Sequence, residues 1–286
     1  MKICRFDDDR IGIVEAGAIR DVTAAVRDIL PEVRWPFPLG DIFIASLAEI
    51  QSQVMQSDTG ASMIPIEQAR LRSPIGNPSK IIGAPVNYLD HQEEAKRNQD
   101  IAHGHQIKPV SEWGLFLKAN SSLVGPGDGV AQRFVDRRND HEAEMAVVIG
   151  RRGSNIKRRD AFDYIAGYCI GLDMTVRGPQ FQCFRKSIDT YSVVGPWLTT
   201  KDEIPDPGNI DFHLTVNGEL RQKSNTKHLD YDVSRLIELA SSYYTLYPGD
   251  IIMTGTPAGV GPVKPGDNIY VEFNGLGSMS VAVRAA

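Results

Sequence analysis

The alternation of apolar and polar positions divides the chain into short strand-like runs with two helical patterns among them. Residues 1–30 read as a small meander: "MKICRF", the polar "DDDR", "IGIVEA" and "GAIRDVT". In "LGDIFIASLAEIQSQVM", Ile42, Ile44, Leu47, Ile50 and Val54 recur at helical spacing, and the loop "QSDTGAS" follows. From residue 80 onward strand-like runs dominate: "KIIGA", "GLFLKA", "EMAVVIG", "YCIGLDMT", "FHLTVNG", "DIIMTGT" and "NIYVEFNG". A second helix is predicted near 232–244, where Val233, Leu236, Ile237, Ala240 and Tyr244 follow i, i+3, i+4 spacing behind an Asp232 cap. Pro-Gly-Asp stands before a strand-like run at 126–128, 248–250 and 265–267, a sequence suited to type II turns at strand entries. The expected class is a β-rich α+β fold with a rolled or barrel-like sheet. "SPIGNPSK" (73–80) is the expected linker, dividing a small N-terminal domain, 1–75, from a larger one, 76–286.

One run breaks the alternation. In "NDHEAEMAVVIG" (139–150), a continuous strand puts Glu142 and Glu144 on one face with Ala146 and Val148, and both faces are apolar downstream. Two carboxylates on such a face repel each other and lose hydration unless a positive charge compensates them. Asp173 in "GYCIGLDMTVRGPQ" ends another strand-like run and can join them. Three oxygen ligands without histidine or thiolate suit a hard cation, Mg²⁺ or Mn²⁺; solvent-facing glutamates on a half-exposed strand are the simpler alternative. On that metal reading, Glu142→Gln weakens metal binding more than folding.

In "NYLDHQEEA", His91 and Glu94 stand at i and i+3 on one helical face, the arrangement of a carboxylate-oriented general base; an exposed charged helix is the alternative. Arg177 and Lys186 are cations beside strand ends. "HEAEM" lacks the second histidine of a helical zinc-protease motif, and neither phosphate-binding glycine pattern is present.

Composition narrows the classes. With 286 residues the chain can build its core without disulfide or metal staples. A net charge of −5 and a pI of ≈ 5.7, without basic blocks, argue against a nucleic-acid or anionic-membrane surface. Three scattered cysteines, Cys4, Cys169 and Cys183, fit a reducing compartment. No signal-peptide core leads the sequence, and no run approaches the ~18 apolar residues of a membrane span, so a cytoplasmic protein is expected.

Taken in order, these segments resemble the fumarylacetoacetate hydrolase (FAH) family, from about residue 80 to the C-terminus. The resemblance is carried by Asn87, Tyr88, His91 and Glu94; by "LFLKANSSLVGPG"; by Asp140 through Gly150; by Asp173, Thr175, Arg177 and Gln180; by Lys186 through Trp197; and by "VNGELRQKSNT" and "LYPGDIIMTGTPAGVG". Gly178 departs from the pattern, standing where many relatives carry Asp.

The resemblance implies a mixed β-sandwich roll, a homodimer, and a divalent ion, Mg²⁺ or Mn²⁺, on Glu142, Glu144 and Asp173. It further implies His91, Glu94 and Lys186 as catalytic residues, with Arg177, Gln180, Gly255 and Thr256 around the substrate. The activity implied is hydrolysis of a C–C bond in a 2,4-dioxo acid of the acylpyruvate or fumarylpyruvate kind, as in aromatic catabolism, through a metal-bound enolate. The alternative is an oxaloacetate-type decarboxylase, or a hydratase or isomerase of a related 2-oxo acid. Residues 96–113 would form a lid, and His103 and His105 are read as lid residues rather than a second metal site.

Overall fold

Ala143–Ile149 is buried at every position, so the strand needs an apolar layer on both sides. A computed structural model describing residues 1–56, 63–104 and 106–286 supplies both layers. Ala143, Met145, Val147 and Ile149 face a core shared with Phe212, Leu236, Val271 and Phe273. Ala146 and Val148 face a second core built with Ile3, Val26, Ile44 and Ile50. The period-two alternation therefore persists, with both of its faces apolar.

Ala143–Ile149 pairs antiparallel with Ile165–Asp173 and with Ile251–Met253 in a large mixed sheet. From Ile165–Asp173 the sheet continues through Ser192–Thr200 to Lys2–Phe6, Arg10–Glu15, Ala18–Asp21 and Met63–Pro65. From Ile251–Met253 it continues through Ile81–Gly83, parallel, to Phe116–Lys118. A second sheet runs Glu219–Asn225, Asp211–Val216, Asn268–Phe273, Gly277–Ala285, Val130–Gln132 and packs over one face of the first with the helix Val233–Tyr243. This is the expected β-rich α+β fold.

Both predicted helices form. Asp41 caps Ile42–Ala45, which Leu47–Gln56 follows; Asp232 caps Val233–Tyr243 through the Arg235 N–H. The segment "QSDTGAS" lies, but for Gln56, outside the described residues. Residues 1–75 extend the large sheet and supply one of its apolar layers. In the segment 73–80, Ile75 is buried, and the N–H groups of Gly76 and Asn77 each donate to Asp41 Oδ2 at 2.8 Å.

Two of the Pro-Gly-Asp turns have the expected geometry. Gly249 and Gly266 take positive φ, 83° and 98°, with Asp250 N donating to Tyr247 O and Asp267 N to Lys264 O. Pro126–Asp128 forms a 3₁₀ turn instead, because the chain at Arg70 and Leu71 passes against Gly127 and Asp128 pairs with Arg70.

Asp250, fully buried, ties the turn at 247–250 to the strand Ile81–Gly83 that leads to the site. Its oxygens accept from Ser79 Oγ (2.6 Å), Lys80 N (2.9 Å), Lys80 Nζ (2.6 Å) and Tyr247 N (2.8 Å). Removing one member of such a buried pair strands the other. Asp250→Ala should lower the unfolding free energy by about 3 kcal/mol in denaturant melts; a loss under about 1 kcal/mol would show that the pair is as dispensable as a surface one.

Candidate active site

The acidic run is not one continuous strand. Asn139–His141 pairs with Thr175–Val176 and Gly261–Pro262 in a separate small sheet, and the large-sheet strand starts at Ala143. At the junction the Ala143 N–H donates to Gln222 Oε1 (3.0 Å) rather than to a neighbouring strand. Glu142 therefore sits at the junction between two strands, with Glu144 near the start of the second and Asp173 at the end of its partner. One oxygen from each of Glu142, Glu144 and Asp173 lies within 4.8 Å of the others, and all three residues are buried. This is the one such acidic or metal-ligating group found among the described residues.

Cations surround two of the three. Lys186 Nζ donates to Glu142 Oε2 (2.6 Å), Asp173 Oδ2 (2.7 Å) and Thr175 Oγ1 (2.6 Å). Arg177 spans Asp140 Oδ2 (2.8 Å) and Glu142 Oε1 (2.9 Å). Lys118, wholly buried, pairs with Asp173 and donates to Tyr191 O (2.8 Å). Burial opposes ionisation of Glu142, but Lys186 and Arg177 outweigh it and hold the carboxyl well below the usual range. Burial likewise opposes the charge on Lys186, and Asp173 and Glu142 outweigh it, raising its pKa.

Glu144 is treated differently. Its Oε2 accepts the Gly255 N–H (2.7 Å), and no ion pair reaches it among the described residues. Burial and the neighbouring Asp173 push its pKa well above the usual range. A further cation is what this corner lacks. With three hard oxygen donors converging on it, the donor set fits a divalent ion such as Mg²⁺ or Mn²⁺. Carboxylate oxygens that already accept from lysine or arginine keep lone pairs for a metal. Gly255 can approach so closely because it takes φ +97° and has no Cβ, which would meet Asn87 Cβ at 2.7 Å.

The cluster opens into a cavity of ≈ 330 Å³ that also receives His91, Thr256, Gln180 and Lys186. His91 and Glu94 lie on the helix Leu89–Arg97, with His91 buried and its Nδ1 2.8 Å from Glu94 Oε2. The other Glu94 oxygen accepts the Gly259 N–H (2.9 Å), which fixes the carboxylate. Thr256 Oγ1 accepts from Gln222 Nε2 (2.7 Å), and Gln180 Oε1 from Arg137 Nη2 (3.0 Å). The helices Gln99–Ala102 and Val110–Trp113 and the segment between them line the cavity, through Ile101, Trp113 and Ile107. His103 is exposed, and His105 lies outside the described residues.

His141 points away from the three acids. Its Nδ1 lies 3.3 Å from Gln222 Oε1, its Nε2 has no partner among the described residues, and burial lowers its pKa to about 4. Sequence reading assigned no role to Lys118, Thr175 or Asp140, which hold the carboxylates and their cations in place. Lys118 and Asp140 stood in the quoted segments, and a lone charge inside an apolar run such as "LFLKA" is the signal they offered.

The model of the fumarylacetoacetate (FAA) hydrolase C-terminal family matches residues 80–284. Over 287 residues, and the whole of both chains, the sequence is 48% identical to maleylpyruvate hydrolase of Aquipseudomonas alcaligenes. The fold matches maleylpyruvate hydrolase from Sphingobium sp. SYK-6, solved in complex with manganese (II) ion and pyruvate, with a TM-score of 0.84 and 39% identity over the whole of both chains. It also matches 5-carboxymethyl-2-hydroxymuconate delta-isomerase from Mycobacterium smegmatis, with a TM-score of 0.73 and 29% identity over the whole of both chains. The chain belongs to the fumarylacetoacetate hydrolase family.

Proposed function

We infer that the protein is a divalent-metal-dependent hydrolase that cleaves the C–C bond of an acylpyruvate, the maleyl and fumaryl compounds being the nearest in kind. One observation carries this reading: three buried carboxylates, of which Glu144 has no ion pair among the described residues, line one cavity with His91, whose imidazole Glu94 orients from behind. The relatives named maleylpyruvate hydrolase support it, as does the manganese and pyruvate bound by one of them. Isomerisation is the second reading, favoured by the likeness to the isomerase. The imidazole of His91, lining the cavity and held by Glu94 as a general base would be, weighs for hydrolysis.

Glu142, Glu144 and Asp173 would hold the ion, which when bound supplies Lewis acidity at the 2-oxo carboxylate end of the substrate. Glu94 accepts a hydrogen bond from the Nδ1–H of His91, which leaves Nε2 as the basic nitrogen. Nε2 takes a proton from water as its oxygen bonds to the C4 carbonyl carbon. The C3–C4 bond then breaks, its electron pair passing to the pyruvate half as an enolate, and His91 returns the proton to C3. Lys186 Nζ keeps its positive charge beside that enolate. Ile101, Ile107 and Trp113 keep bulk water from the cavity. Gln180, Thr256, Gly255 and Arg177 shape its walls and fix the acids, and residues 1–75 form the layer behind the sheet that carries it.

Homodimer formation accords with the exposed Phe134, Phe181 and Phe184, which line the cavity or the adjoining depression. No helix among the described residues is long and apolar enough to cross a membrane. The thiols Cys4, Cys169 and Cys183, all free, suit a cytoplasmic setting.

Two measurements test the reading. With acetylpyruvate or maleylpyruvate and Mn²⁺, His91→Ala should lower kcat by about 10²- to 10⁴-fold while Mn²⁺ affinity by calorimetry changes little; near-normal turnover would sink the mechanism. Separately, Glu144→Gln should leave the melting temperature of the metal-free protein unchanged or higher, because it relieves repulsion, yet weaken Mn²⁺ binding at least about ten-fold. Glu142→Gln should lower that temperature, because Arg177 and Lys186 lose their anion. Glu142 is thus less able to separate metal binding from folding than its place in the sequence implies. Unchanged Mn²⁺ affinity in Glu144→Gln would return these acids to a purely structural role.

A further inference from the structure

Four cationic side chains are buried at or beside the cavity, and three are matched by acids. Lys118 pairs with Asp173, Lys186 with Glu142 and Asp173, and Arg177 with Asp140 and Glu142. Arg185 is the exception. It is 6% exposed, lines the cavity, and forms no ion pair among the described residues. Its Nε donates to Gln180 O (2.7 Å) and its Nη1 to Val176 O (3.3 Å). Backbone carbonyls satisfy those N–H groups and aim the guanidinium, but they do not cancel its charge.

The surroundings increase the imbalance. Burial and the nearby Arg177 and Arg137 lower the pKa of Arg185, and the acids acting on it, Glu142 and Asp173, are engaged by other cations. Arg137 is also without an ion pair among the described residues: its Nη2 donates to Arg177 O (2.6 Å) and Gln180 Oε1 (3.0 Å). It occupies space that Gly178 leaves open, since a Cβ there would meet Arg137 Nη2 at 2.1 Å. The cavity lining thus combines an acidic cluster, Glu142, Glu144 and Asp173, with a guanidinium that no acid pairs among the described residues, Arg185, near which Arg137 also stands. A buried guanidinium without an anion carries an uncompensated desolvation cost, and arginine is suited to grip a carboxylate through two N–H groups at once.

We propose that Arg185 docks the distal carboxylate of a dicarboxylic acylpyruvate, so that the substrate spans the cavity with one carboxylate at the acidic metal end and the other at the guanidinium. This rests on the acylpyruvate reading and makes it more specific: the acyl group ends in an acid, as a maleyl chain does. Arg185 is then a specificity-determining contact remote from the bond that breaks.

The test is a binding measurement with ligands that cannot be cleaved, because they lack the 4-oxo group. Calorimetry in Mn²⁺ compares 2-oxoheptanedioate with 2-oxoheptanoate, which differ only in the terminal carboxylate. The wild-type protein should bind the diacid about 10- to 100-fold more tightly. Arg185→Met should bring the two affinities within about three-fold of each other, and Arg185→Lys, which keeps the charge but not the two-pronged donor, should retain part of the preference. Three results overturn the proposal: no preference in the wild type, an unchanged preference in Arg185→Met, or equal weakening of both ligands, which marks a structural role. A wild-type protein that shows the preference but fails to cleave maleylpyruvate would remove the hydrolase reading and leave the role of Arg185 standing.

Discussion

Carboxylates removed from water must be neutralised, and the centre of this protein is organised around that requirement. Glu142, Glu144, Asp173 and Asp140 converge where two strands end, and each element that packs there brings a compensating group. Lys118 comes from the strand beside Ile81–Gly83, Arg177 from the segment after Thr175–Val176, and Lys186 from the end of the short helix Gln182–Lys186. Glu144 alone is left with a backbone N–H. The same requirement that ties these elements together leaves room for one more cation, the place the proposed metal ion would take.

The sheet makes this arrangement rigid. A strand buried on both faces cannot slip by one residue without exchanging its two apolar faces, so Glu144 and Asp173 are held by the registers Ala143↔Leu172 and Glu144↔Gly171. Chemistry enters where the ladder stops. The strand junction at Glu142 and the loop through Gly255 and Thr256 carry polar groups toward the cavity from strand ends, while the helix Leu89–Arg97 brings His91 to it. Function here depends on regular structure for position and on its interruptions for access.

Much of this was legible in the sequence. Period-two runs located the strands, and helical spacing with an aspartate cap located Val233–Tyr243. Acids at strand ends, together with the ordered family segments, singled out Glu142, Glu144 and Asp173, which the fold brings within 4.8 Å of one another. Long-range pairing was not legible. The break at Glu142 depends on Gln222, 79 residues beyond Ala143, and Lys118 meets Asp173 across 55 residues. Local pattern shows that a charge is unusual where it stands; only the fold shows which charge answers it. The isolation of Arg185 was hidden for the same reason, since a lysine follows it and nothing nearby in the chain distinguishes the paired cation from the unpaired one.

The central claim is that the acidic cluster is completed by a divalent cation. Crystals grown with Mn²⁺ and measured at a wavelength where manganese scatters anomalously test it directly. The account predicts one strong anomalous peak bounded by oxygens of Glu142, Glu144 and Asp173. No peak there at saturating Mn²⁺, or a peak held by other residues, would contradict it.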